Sequence, residues 1–178
     1  MPADWSVRRG RDAYLAENGF TVEAYDEPWT QASFFAIDFA VPNNAAHKAA
    51  IKLHDLHHVA TGFGTDLAGE GEISAWELRG GLRGAGLYVS AIIAAGAMMG
   101  LLVAPRRTVA AFRRAKGARS LWTGSLGYAD LLERTVGGLR AEVGAPPTGL
   151  ASAGQRLHKN APKPAETRGG PTGPALAP

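Results

Sequence analysis

Residues 84–105 carry no charge, and within them LYVSAIIAAGAMMGLLVA is nearly all apolar. A stretch of that length folds in few ways: buried in a bundle, lining an apolar groove, or crossing a bilayer about 30 Å thick. Its Ala, Gly and Ser make it only weakly hydrophobic, and no second span follows it. A crossing that left the arginines after it in the cytoplasm would also export everything before it without a signal. A buried or groove-lining helix is the expectation. Its small residues allow close packing, and its methionines adapt to irregular shapes.

The rest of the chain reads as helices too. Residues 6–18 form a short amphipathic helix stopped by Gly19, and 44–60 (NAAHKAAIKLHDLHHVA) is rich in helix formers behind an Asn43 or Asn44 cap. Thr65 or Asp66 can cap a helix running to Leu78, and 122–143 holds a final helix pair. The stretch 20–41, with its many aromatics and Pro28, fits one or two short helices or a strand. Almost nothing alternates with a period of two, and no internal repeat is present. An all-α, single-domain helical bundle is therefore expected, with an N-terminal part (1–41), a core (42–144) and a Pro/Gly/Ala-rich disordered tail (145–178).

At 178 residues the chain has room for a substantial core. It contains no cysteine, which excludes disulfides, thiolate zinc sites, iron–sulfur clusters and a thiol nucleophile. Any metal must be held by histidine and carboxylate. The net charge is only +3, but Arg106, Arg107, Arg113, Arg114, Lys116 and Arg119 form one basic run without an acid between them. No aromatic platform or helix-turn-helix spacing accompanies it, so no nucleic-acid partner is expected. An anionic membrane surface fits it better, as does a plain solvated face. The opening MPADWSVRRGRD lacks the apolar core of a secretory signal, which points to the cytoplasm, at the inner face of the membrane.

The chemistry concentrates in HDLHHVATGFGTDLAGE. On a helix His54 and His58 are one turn apart and share a face, the spacing that lets two imidazoles hold one metal. Asp55 lies at the edge of that face as a third ligand, and the glycine-bearing loop lets the chain turn back to bring in Glu70. Two nitrogens and two carboxylates suit one divalent ion per chain, zinc first, iron or manganese next. The metal site is then expected between two helices. His57 points to the packed side, and His47 is a candidate second-sphere partner on the ligand face. An HExxH zincin fits poorly because Asp55 stands where the glutamate base belongs and no third histidine follows. An HD-type phosphohydrolase fits no better, since Asp130 is the only aspartate beyond that segment and nothing marks it.

His-Asp, two residues, His, eleven residues, Glu resembles the signature of the coenzyme Q biosynthesis protein 4 family of ubiquinone biosynthesis. His54, Asp55, His58 and Glu70 match its four positions. The ending YADLLERTVGGLRAEVG is similar to that family's closing helix, and the likeness covers residues 42–144. GEISAWELRGG departs from the family's lysine-containing, aromatic-rich helix, and FTVEAYDEPWTQASFFAIDFAV has no counterpart.

The resemblance implies an all-helical, membrane-associated protein with one metal held by these four residues, which would also be its catalytic groups. Its substrate would be a polyprenylated benzoquinone precursor whose tail lies along 86–104. Its reaction would be removal of the C1 ring carboxyl with hydroxylation, the metal acting as a Lewis acid on a ring oxygen. Other quinone-biosynthesis enzymes, and a second copy of the chain, are the expected protein partners. A non-catalytic lipid-binding scaffold and a metal-dependent hydrolase are the alternatives.

Overall fold

Among the described residues, four of the seven helices begin at a side chain that accepts an amide of the first turn, which satisfies one of the donors a helix start leaves open. In the computed structural model, which describes residues 1–34, 37–42 and 44–151, Ser6 accepts from Arg9 at 3.2 Å and opens α1 (Val7–Asn18). Asn44 accepts from His47 at 2.8 Å and opens α2 (Ala45–Thr61). Asp66 accepts from Gly69 at 2.9 Å and opens α3 (Leu67–Gly80). The long apolar helix α4 (Gly86–Val103) is followed at once by α5 (Pro105–Arg114), with a proline at its first position. The last pair is α6 (Tyr128–Leu132) and α7 (Val136–Val143), the latter capped by Thr135. The expected all-helical bundle is what forms.

The aromatic stretch resolves into a 3-10 turn at Glu23–Asp26 and an antiparallel hairpin of β1 (Trp29–Phe34) and β2 (Ile37–Pro42), a small addition to the bundle. Trp29 pairs with Pro42, and Phe34 with Ile37.

The core gathers around α2, where Leu56, Val59 and Ala60 meet Val7, Ile73, Trp76, Val136, Leu139 and Val143, all buried. Arg140 is buried as well and donates to three carbonyls: Ala60 at 3.0 Å, Pro147 at 2.7 Å and Met1 at 3.0 Å. It thereby ties together α2, the N-terminus and the chain after α7. Residues 145–151 are docked on the bundle: the amides of Leu150 and Ala151 donate to the Thr61 carbonyl, and Ala145 and Ala151 are buried. The disordered tail expected from residue 145 is corrected to this extent. Residues 152–178 lie outside those described.

The apolar helix is not the buried helix that was one of the two expectations. α4 buries one narrow strip, Val89, Ile93, Ala97 and Gly100, against α3 and α2. Its other faces are open, with Leu87 89% exposed, Leu102 73% and Met98 60%. Glycine explains the narrow contact, since small residues bring α3 and α4 together along one line and leave the larger side chains outside it. Among the described residues α4 is the one helix whose length and composition would cross a membrane. On α5, Val109, Phe112, Arg106, Arg113 and Arg114 face outward, while Arg107 turns in to Glu72 at 2.7 Å.

Candidate metal centre

The loop after α2 turns on Gly62 at φ 79° and sends the chain back, so that α3 starts beside the end of α2. That return sets Glu70, in the first turn of α3, against His54 and His58. The Nε2 atoms of the two histidines are 3.2 Å apart. Glu70 places Oε2 at 3.3 Å from His54 Nε2 and Oε1 at 3.5 Å from His58 Nε2. Two ligands held about 2.0–2.2 Å from a tetrahedral ion are about 3.3–3.6 Å apart. The three residues form a group that could hold a metal ion, and their donors match that spacing.

Both histidines are oriented from behind. His58 donates from Nδ1 to the Phe63 carbonyl at 3.1 Å, and its ring stacks on Tyr14 with centroids 5.3 Å apart. His54 donates from Nδ1 to Glu77 Oε1 at 2.7 Å. In each ring the Nδ1 bond turns Nε2 toward Glu70 and the other imidazole, where a bound ion would take the place of the His54 Nε2 proton. The His58 side chain is fully buried, whereas His54 is 25% and Glu70 40% exposed, so the group is open on the side of Glu70 and His54.

The electrostatics follow from that packing. Burial alone would lower His54, but the carboxylates of Glu77 and Glu70 outweigh it and hold the imidazole well above its ordinary value near 6.5. Burial would raise Glu70, yet the His58 and His54 imidazoles keep its carboxyl well below the usual carboxylate range. Glu77 is held below that range in the same way, by His54 and His57 against its burial. His57 is pushed down by burial, which its contact with Glu77 only partly offsets.

Asp55, expected as a ligand, stands outside the group. It is buried next to the histidines, and its Oδ2 accepts the Tyr25 hydroxyl at 2.5 Å. Asp55 follows His54 by about 100° of helix rotation, which turns its carboxylate toward the 3-10 turn that carries Tyr25. Burial raises its carboxyl, and the Tyr25 hydrogen bond works against that rise. His57 is the buried, hydrogen-bonded core histidine that its position implied. His47 is not behind a ligand: it bonds to the Pro42 carbonyl and meets the edge of Tyr88 at 5.6 Å. Glu77 escaped the sequence reading, although it follows Glu70 by seven residues and so shares its helix face.

Fold and site together define a helical-bundle protein, with one small hairpin, that carries a His–His–Glu group able to hold a metal where α2 meets the start of α3. No family model, curated protein or solved structure matches the chain.

Proposed function

We propose that this protein binds one divalent metal at His54, His58 and Glu70 and acts, at a membrane surface, on a polyprenylated benzoquinone precursor in ubiquinone-type biosynthesis. The step favoured is removal of the C1 ring carboxyl with hydroxylation. The observation that carries the metal part is the convergence of two Nε2 atoms and one carboxylate within 3.2–3.5 Å. The substrate class comes from the likeness of the His54, Asp55, His58 and Glu70 spacing to the coenzyme Q family signature. When bound, the ion would supply Lewis acidity toward a carboxylate or phenolate oxygen.

The chain's own residues supply the surroundings. Glu70 and the exposed edge of His54 leave the group accessible, while Tyr14, Phe63 and Asp55 close its inner side. One helix away, α4 turns Leu87, Met98, Leu101 and Leu102 outward, and α5 adds Arg106, Arg113 and Arg114 beside them. An apolar face bordered by arginines favours lying on anionic lipid, where a prenyl tail is dissolved.

Metal analysis by mass spectrometry, paired with organic extraction of the same purified protein, tests the proposal. About one metal per chain, lost in His58→Ala and Glu70→Ala, with a co-purifying prenylated ring compound, is the expected result. Metal without such a compound would leave the metal and remove the substrate. Alanine variants that keep both metal and quinone output would remove the whole proposal.

A further inference from the structure

Behind His54 lies a second layer that no metal ligand enters. Glu77 is fully buried, and its single oxygen Oε1 receives two imidazole donors, His54 Nδ1 at 2.7 Å and His57 Nδ1 at 2.8 Å. His57 is fixed in turn: its Nε2 accepts the backbone amide of Leu121 at 2.8 Å, which leaves its proton on Nδ1, facing Glu77. The His57 ring sits between Trp76, with centroids 5.2 Å apart, and Trp122, at 4.9 Å. Among the described residues Glu77 Oε2 has no hydrogen-bond partner. A carboxylate buried away from water with one oxygen unpaired is costly to keep for stability alone. Its position is useful, since it faces the far nitrogen of an imidazole whose near nitrogen points to Glu70.

On the metal reading above, we propose that Glu77 is a positioning residue for the metal group. It holds His54 as the Nδ1–H tautomer with Nε2 aimed at the ion and, through its negative charge, makes that Nε2 a stronger donor. His57 and the Leu121 amide hold Glu77 in place. The backbone carbonyl of Phe63 does the same work for His58 without a charge, so the two histidines are unequal ligands. His54 is the one whose strength depends on a removable side chain. Carboxylates behind metal-bound histidines set affinity in this way, and their loss weakens binding about 10–100-fold.

The test is a cobalt(II) titration of the full-length protein, followed by visible absorption, for wild type, Glu77→Gln and Glu72→Gln. Glu72 is a second buried carboxylate on α3, paired with Arg107, and serves as the control. Glu77→Gln should weaken cobalt binding by about 10–100-fold and shift the absorption bands, while Glu72→Gln leaves both unchanged. Melting of the metal-free proteins separates a folding defect. A Glu77→Gln protein that melts lower yet binds cobalt as tightly as wild type overturns the proposal. If that variant does not fold, nitrogen-15 spectra of histidine-labelled wild type with zinc decide the matter. A His54 proton on Nδ1 with Nε2 bound to the ion supports it, and the reverse tautomer overturns it. Wild type that takes up neither cobalt nor zinc would overturn the metal reading itself, and this inference with it.

Discussion

Gly71 of α3 and Gly100 of α4 touch backbone to backbone: a Cβ on Gly71 would lie 2.3 Å from the Gly100 Cα, and one on Gly100 would lie 2.5 Å from the Gly71 Cα. The contact sits one residue after Glu70, so the seam that carries α4 also braces the turn that presents the metal group's carboxylate. Neither glycine adopts a left-handed backbone, and the requirement is space alone. Gly100→Ala should therefore destabilise the fold by about 1–3 kcal/mol or more, because neither helix can move without opening the core. Chemical denaturation of the two proteins checks this, and an unchanged midpoint would show the helices free to separate.

Asp55→Asn should keep the metal. Asparagine retains an acceptor for the Tyr25 hydroxyl, which bonds to Asp55 at 2.5 Å, and the His54, His58 and Glu70 donors are untouched. Metal content of Asp55→Asn beside His58→Ala is the measurement. Loss from both would restore Asp55 to the ligand set that the sequence suggested.

The metal-free protein should become less stable as pH rises from neutrality. His54 is raised above its ordinary value near 6.5, so its proton stabilises the fold fully below that value, and the stabilisation is lost as pH climbs through the raised one. His57, lowered, is already neutral there. The carboxyls of Glu70 and Glu77 are depressed, so their contribution is lost only when pH falls below about 4.5. Melting temperature against pH, with and without zinc, reads the effect. With zinc in place of the proton the alkaline decline should vanish, and a metal-free curve flat through pH 7 to about 9 would refute the assignment.

If the proposed membrane reading holds, attachment should depend on α4 and α5 together. Leu102→Glu and Met98→Glu change exposed side chains, so stability should stay within about 0.5 kcal/mol while binding to vesicles falls. Arg113→Ala with Arg114→Ala should cost about tenfold or more in binding to phosphatidylglycerol-containing vesicles, and nothing on pure phosphatidylcholine. Sedimentation with each vesicle type measures this. Equal binding by all variants, or none by wild type, would overturn the assignment of α4 and α5 to a lipid surface.

Much of this molecule is local physics, and local physics is written in the chain. Ser6, Asn44 and Asp66 open helices because their side chains reach the amides of the next turn. Gly19 and Gly62 close them because the left-handed backbone suits glycine. His54 and His58 share a face through helical pitch alone, and the eleven residues to Glu70 are enough for one glycine turn and a return. Tertiary packing decided the rest. Asp55 was within reach of the metal group by rotation, but Tyr25, distant in sequence, took its carboxylate. The importance of Glu77 depends on Leu121 donating a backbone amide to His57 across 64 positions of chain. The 84–105 stretch announced an apolar helix; which side of it would be covered depended on how closely Gly71 and Gly100 let α3 approach. Helix pitch and capping act over a few residues, whereas a side chain's partner is chosen by elements that meet only when the whole chain has packed.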